Sequence, residues 1–247
     1  TRVSRLLKGF RSIPGADLDQ VAELLVRVSQ LVTDFPQINE LDLNPVVISE
    51  GRPIAIDGRI VMEPTEVAAP RHLIISPYPN QYESHWMLKD GTPVLIRPMK
   101  PEDEPMVVQL LDNCSDQTLY FRYFRVIKTW PHEALIRFTQ NDYDREIGLA
   151  AIGEPPGPPV MMGVGRLVMT PERDAAEFAV IVADPWQGKG LGPKHIGRVI
   201  EIARENGVKV LAGDVLSEDQ AMLDLVRGMG FTVQSPQEGT CRVEMRL

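Results

Sequence analysis

Val180-Ile181-Val182-Ala183-Asp184-Pro185-Trp186-Gln187-Gly188-Lys189-Gly190-Leu191-Gly192 runs from a β-branched strand through a proline turn into three alternating glycines, after which apolar residues recur at helical spacing at Ile196, Val199, Ile200 and Ala203. Such a run is suited to binding an anion. A helix start leaves backbone N–H groups unpaired at the positive end of the helix dipole, and glycines let that backbone approach a pyrophosphate with no Cβ in the way. Lys189 adds a charge, although its backbone N–H is expected to matter more. The spacing meets neither competing glycine fingerprint. A P-loop requires Gly-Lys-Ser/Thr, whereas Gly190 is followed by Leu191. A dinucleotide loop requires Gly-x-Gly-x-x-Gly, whereas the third glycine here is Gly192.

Upstream, alternating apolar residues predict strands over Glu146–Ile152, Val160–Met169 and Ala175–Ala183, joined by turns at Glu154–Pro159 and Thr170–Asp174 into an antiparallel meander. Before them come a strand over Thr92–Pro98 and a helix from Pro101 to about Asn113, whose first turn carries Glu102, Asp103 and Glu104 to complement the dipole. Two short helices follow, over Asp116–Val126 and Pro131–Phe138. Downstream, Val208–Gly213 returns as a strand, which makes Gly188–Asn206 a strand–helix–strand crossover; helix Glu218–Met229 and strands Phe231–Gln234 and Thr240–Arg246 close the chain. The class is α/β (α+β) with a mixed sheet.

The first sixty residues read differently. Leu18, Val21, Leu24, Leu25, Val28, Leu31, Val32 and Phe35 form one helical stripe that Asp17 caps, and strands over Ile38–Ile48 and Pro53–Met62 flank the turn Ser49-Glu50-Gly51-Arg52. Helix plus hairpin is too little to stand alone, so this is expected to be a piece of a larger domain. From Glu63 to about Gln81 the sequence is aperiodic and carries Pro64, Pro70, Pro77 and Pro79. The expected organisation is therefore 1–63, a linker over 64–84, and a second domain over 85–247.

The 247 residues carry a net charge of −8, which argues against a nucleic-acid partner and suits a cationic one. No apolar run reaches the ~18 residues of a membrane span. Cys114 and Cys241 have no paired spacing, which fits a reducing, cytoplasmic setting, and His72, His85, His132 and His195 lack metal-ligand spacing, so no metal is assigned. Tyr120, Phe121, Tyr123 and Phe124 with Arg122 and Arg125 are read as core packing with arginines that snorkel to solvent.

Gln187, Gly190 and Gly192 meet the Gln/Arg-x-x-Gly-x-Gly/Ala signature of the GNAT superfamily of acyl-CoA-dependent N-acyltransferases, and the order of elements from Thr92 to Leu247 resembles that fold. The resemblance implies a fourth strand splayed from the fifth, with pantetheine lying between them. It implies that backbone groups of Val180, Ile181 and Val182 pair with pantetheine, that amides of Gln187, Gly188, Lys189, Gly190, Leu191 and Gly192 hold the pyrophosphate, and that acetyl-CoA is the co-substrate. Asp219 stands where the family often has an asparagine contacting the CoA arm. The tyrosine that many relatives use as general acid is missing, since Met222, Leu223 and Leu225 occupy that region. Near neutral pH only about one lysine in a thousand is unprotonated, so a base adds rate. Glu177, just upstream of the pantetheine segment, matches the base glutamate of protein acetyltransferases in this superfamily; Glu218 and Asp214 are second-tier candidates.

Glu40-Leu41-Asp42-Leu43-Asn44-Pro45 followed by Ile54-Ala55-Ile56-Asp57-Gly58-Arg59-Ile60 resembles the end of the ATP-grasp module of NDP-forming acyl-CoA synthetases, in which Asn44 and Asp57 would face Mg²⁺ and nucleotide. An ATP-grasp end joined to a GNAT domain resembles bacterial protein lysine acetyltransferases built on a synthetase-like body. That resemblance implies two partners: a metabolic enzyme, such as an acyl-CoA synthetase, presenting a lysine, and the remainder of the synthetase-like body. The alternatives are a small-molecule amine acetyltransferase, a non-catalytic acyl-CoA sensor, or an accessory domain of a working synthetase.

Overall fold

Residues 7–9, 15–67, 69, 72, 73, 75–125, 127, 129–153 and 158–247 are described by this computed structural model, and internal contacts divide the chain into two units, Thr1–Pro77 and Tyr78–Leu247. Most of the turn expected at Glu154–Pro159, the expected helix end at Val126, and Pro70 lie outside the described residues.

In the first unit Asp17 Oδ1 accepts from the N–H groups of Asp19 and Gln20, capping helix α1 (Leu18–Asp34). The two strands expected after it are four. Strand β1 (Ile38–Leu43) pairs antiparallel with β4 (Gly58–Met62), and β2 (Val46–Ser49) with β3 (Arg52–Ala55). The interruption comes at Asn44-Pro45, because proline cannot donate to the ladder. The tip is a tight turn with Glu50 and Gly51 both at positive φ. No described side chain of α1 or β1–β4 is fully buried, and Leu25, Val26, Ile56 and Met62 are more than half exposed.

The second unit is an eight-stranded sheet with helices on both faces. Its first strand, β5 (Ser84–Met87), was not expected from the sequence. It pairs with β6 (Pro93–Pro98) through the Asp90-Gly91 turn, where Gly91 has φ +84°. Residues expected to belong to the linker also join this unit: Tyr82 is buried in its core, and the Tyr78 hydroxyl donates to Pro98 O at 3.1 Å. Helices α2 (Glu104–Asp112), α3 (Asp116–Tyr123) and α4 (His132–Thr139) follow, then strands β7 (Glu146–Gly153), β8 (Val160–Met169) and β9 (Ala175–Val182), helix α5 (Leu191–Glu205), β10 (Val210–Leu216), α6 (Gln220–Gly228), β11 (Thr232–Val233) and β12 (Thr240–Arg246). The spatial order is β11-β12-β10-β9-β8-β7-β6-β5, with β9 and β10 parallel and the other neighbours antiparallel.

Alternation along the strands builds two cores. Ile196, Val199 and Ile202 of α5 and Val226 of α6 pack with Leu211 and Val243 on one face; Val107, Leu110 and Leu111 of α2 pack with Ala150, Ile152 and Ile181 on the other. The α2 side is pinned by a buried pair in which Arg97 donates to both Asp103 oxygens at 2.7 Å while the Lys100 N–H donates to Asp103 Oδ2 at 2.8 Å. On the α5 side His195 is fully buried against Gly165, where a Cβ would lie 3.0 Å from the His195 Cβ.

Candidate active site

Strands β9 and β10 pair only at Ala175 with Val210, Ala176 with Leu211 and Glu177 with Ala212. Beyond that register β9 runs on to Val182 and β10 to Leu216 without pairing, so the sheet opens into a V whose apex is Glu177. Mixed sheets rarely leave such an edge unpaired inside the fold, because exposed N–H and C=O groups need partners.

The period of two decides which groups line the gap. Ala183 donates its N–H to Met162 O at 3.0 Å, toward β8, whereas the Val182 carbonyl points the other way and accepts from Gln187 Nε2 at 3.0 Å. By alternation Phe178, Val180 and Val182 turn their main-chain groups into the gap, and Ile181 turns its own toward Val164 of β8. Val180 and Val182 therefore turn their main-chain groups into the gap, as does Phe178, which the sequence reading omitted, whereas Ile181 does not.

At the wide end of the gap a 3-10 turn over Asp184–Trp186 leads into the glycine loop. Gly188 has φ +73° and Gly190, the N-cap of α5, has φ +92°, a conformation that favours glycine. Among the described residues the N–H groups of Gly188, Lys189, Gly190, Leu191 and Gly192 make no hydrogen bond, and they converge on the positive end of α5. The Gln187 backbone N–H, expected among the loop donors, is instead spent on Asp184 O at 3.3 Å. The Gln187 amide is turned inward, donating to Thr118 Oγ1 at 3.1 Å as well as to Val182 O, and so ties the end of β9 to α3. The Lys189 ammonium pairs with Asp90 at 3.0 Å and lies 4.5 Å over the Trp186 ring, which leaves the backbone N–H as its contribution to the loop. Hydrogen bonds from Thr92 and Lys189 draw the Asp90 carboxyl down to about 2. Partial burial pushes Asp184 upward, but donors from Thr118 and Ser115 outweigh it and hold the group low.

Asp219 caps α6, its Oδ1 accepting from the Met222 N–H at 3.0 Å; burial raises its pKa and that hydrogen bond opposes the shift. Leu223 is buried, and Met222 and Leu225 pack on the core, so the region of the missing tyrosine is hydrocarbon.

At the apex the Glu177 side chain is 65% exposed, and Arg242 Nη1 donates to it at 3.2 Å and to Asp214 Oδ2 at 3.0 Å. Burial lowers the Arg242 pKa, yet the two carboxylates more than offset it. Glu177 and Asp214 are thus brought together, whereas Glu218 lies past the end of β10 at the opposite end of the gap. Among the described residues no group of His, Cys, Asp and Glu could hold a metal ion, and no helix is long and apolar enough to cross a membrane.

A family model described as an acetyltransferase (GNAT) domain matches residues 94–232, and one described as an ATP-grasp domain matches residues 1–62. An acetyltransferase of Pseudomonas aeruginosa is 31% identical over 165 residues, which are 66% of this chain and 89% of that protein. An L-amino acid N-acyltransferase of Escherichia coli is 43% identical over 70 residues, 28% of this chain and 41% of that enzyme. The N-terminal part is similar to an ADP-forming acetate–CoA ligase of Archaeoglobus fulgidus, 45% identical over 58 residues, which are 24% of this chain and only 8% of the ligase. Among solved structures, the GNAT domain of S. lividans PAT superimposes with a TM-score of 0.63 at 27% identity, covering 69% of this chain and all of that one. An acetyltransferase of Salmonella typhimurium solved with its cofactor acetyl-CoA gives 0.50 at 23% identity, covering 62% of this chain and 94% of that one, a likeness of fold.

Proposed function

From the premise that the chain belongs to the GNAT acetyltransferase family, with acetyl-CoA as co-substrate, we propose that it acetylates lysine side chains of metabolic enzymes such as acyl-CoA synthetases, with Glu177 as general base. The observation that carries this reading is the position of an exposed carboxylate at the apex of the V, where the thioester end of a pantetheine lying in the gap arrives. Phe178, Val180 and Val182 pair with pantetheine through their main chain, and the amides of Gly188 to Gly192 hold the pyrophosphate. An exposed apex beside Asp214 and Glu244, in a chain of net charge −8, suits a cationic side chain delivered on a protein surface.

Glu177 takes a proton from the lysine ammonium. The neutral amine then forms a C–N bond to the thioester carbon, the C–S bond breaks with its electron pair passing to sulfur, and the second amine proton reaches the CoA thiolate through water. No side chain is assigned as general acid. The first 63 residues would belong to the end of an ATP-grasp module, 64–84 to a linker and 85–247 to the transferase, although contacts favour Tyr78 as the start of the transferase unit. The open apolar faces of the first unit support the remainder of a synthetase-like body as a partner, and unpaired Cys114 and Cys241 support a cytoplasmic setting.

Glu177→Gln tests the reading, because it keeps size while abolishing basicity. Transfer at pH 7 should slow by about 10²–10⁴-fold, with the loss shrinking at pH 9, where more of the nucleophile arrives neutral. A variant as fast as wild type at both pH values removes Glu177 from the mechanism. With radiolabelled acetyl-CoA and a cell lysate, label in small amines alone replaces the protein-lysine reading with the one that the similarity to an L-amino acid N-acyltransferase supports. Absence of any transfer leaves an acyl-CoA sensor.

A further inference from the structure

Along β12 the buried Cys241 and Val243 alternate with Arg242 and Glu244, so the two charged residues stand on the face opposite the α5 core. Register brings them to the candidate base. Arg242 lies opposite Asp214 of β10 and Glu244 opposite Ala212, which in turn pairs with Glu177 of β9, and residues paired across a ladder share a face. Arg242 therefore reaches diagonally over β10 to Glu177. The residue it passes is Ala212, whose methyl group leaves the path open.

The resulting bridge spans three strands at the place where the V begins. Nη1 of Arg242 donates to Glu177 Oε1 at 3.2 Å and to Asp214 Oδ2 at 3.0 Å, and Nε lies 3.8 Å from Glu244 Oε1. Three carboxylates thus stand around one guanidinium, and the two that meet at Nη1 would repel each other without it. A glutamate 65% exposed on a strand otherwise has several rotamers open to it. Among the described residues Arg242 is the only hydrogen-bond partner of the Glu177 carboxylate, and Oε2 accepts none. That division suits a base. Oε1 fixes the side chain, and Oε2 is left to take a proton. The guanidinium keeps its own proton at any working pH, so Arg242 is not itself the base.

The geometry points to Arg242 as the residue that positions Glu177 for proton transfer, acting through that carboxylate and not on acyl-CoA. The inference rests on the reading of Glu177 as general base. A tether that holds the base within reach of the reacting amine removes its search over rotamers, so losing the tether should cost rate and spare cofactor affinity.

The experiment follows label from radiolabelled acetyl-CoA into lysate proteins at saturating cofactor, for wild type, Arg242→Gln, Arg242→Lys, Glu177→Gln and the double variant Glu177→Gln/Arg242→Gln. Calorimetry gives Kd for acetyl-CoA, and thermal unfolding verifies the fold of each chain. Arg242→Gln should slow transfer by about five- to fiftyfold with Kd within about twofold of wild type. Arg242→Lys, which keeps the charge, should recover part of the rate. In the Glu177→Gln background the Arg242 substitution should cost nothing further, because its effect runs through the missing carboxylate. Arg242→Gln as fast as wild type overturns the inference. So does a loss that multiplies in full with that of Glu177→Gln, or a fall in affinity that matches the fall in rate, which would make Arg242 a strut of the sheet. If Glu177→Gln alone is as fast as wild type, or wild type transfers no label, the base reading fails and this inference falls with it; if Glu177→Gln is slow and Arg242→Gln is not, only the inference falls.

Discussion

Gly190→Asp is the sharpest test of the loop. Gly190 caps α5 at φ +92° and ψ 1°, so any L-residue there enters left-handed space at a cost of about 1–2 kcal/mol, and aspartate tolerates it better than most. A Cβ would meet Trp86 Cη2 at 3.3 Å and Lys89 Cε at 3.4 Å, tight contacts to side-chain ends that can give by a few tenths of an ångström. The fold should therefore survive with Tm lower by a few degrees. Binding should not. The new carboxylate places a negative charge beside the free N–H groups of Gly188 to Gly192, where the ligand's anion would sit. Two charges roughly 5 Å apart at an effective dielectric near 20 repel by about 3 kcal/mol, which is about a hundredfold in Kd.

Gly190→Ala separates the two effects, since it imposes the backbone strain without the charge. Calorimetry with acetyl-CoA on wild type and both variants should show a modest loss for alanine and a loss of at least about a hundredfold for aspartate. Equal affinities for the two variants would refute the electrostatic argument and move the pyrophosphate elsewhere.

Asp103→Asn should destabilise the transferase unit by about 3–5 kcal/mol, because it leaves Arg97, 12% exposed, facing a neutral partner; urea unfolding followed by tryptophan fluorescence checks this, and a change below 1 kcal/mol would contradict it. His195 should make stability fall as acid is added. Burial draws its pKa to about 4 from an ordinary value near 6.5, so between these values the unfolded chain holds the extra proton. Its contribution is complete above about pH 6.5 and shrinks by about 1.4 kcal/mol per unit down to about pH 4. His195→Leu should flatten that slope, and an unchanged slope would assign it to the carboxylates.

The parts of the site that were legible are those written in local spacing. Three alternating glycines after a β-branched run predict the Gly188–Gly192 loop, because only such spacing supplies positive φ and bare amides together. The meander and the crossover follow from the switch between periods of two and 3.6. What stayed hidden depends on distant partners. Gln187 is claimed by Thr118, 69 residues away, and Lys189 by Asp90, so neither side chain's destination shows in its own motif. Strand β5 is only Ser84–Met87 on an edge, too short to register an alternation.

The period of β9 joins these observations into one constraint. Its even positions, Phe178, Val180 and Val182, give their main chain to the gap, while the odd positions, Glu177, Ala179 and Ile181, give their side chains to the face shared by α2, α3 and α4. A slip of one residue would turn Glu177 into the core beneath α5 and point the main chain of Ile181 at the gap, so the proposed base and the proposed groove would fail together. Two anchors prevent that slip. The pairing of Ala175 to Glu177 with Val210 to Ala212 holds the apex, and the Gln187 amide, clasping Val182 O and Thr118, holds the open end. Gln187, whose backbone amide the motif assigns to the pyrophosphate, therefore acts one step behind the loop, fixing the strand whose free edge the ligand would use.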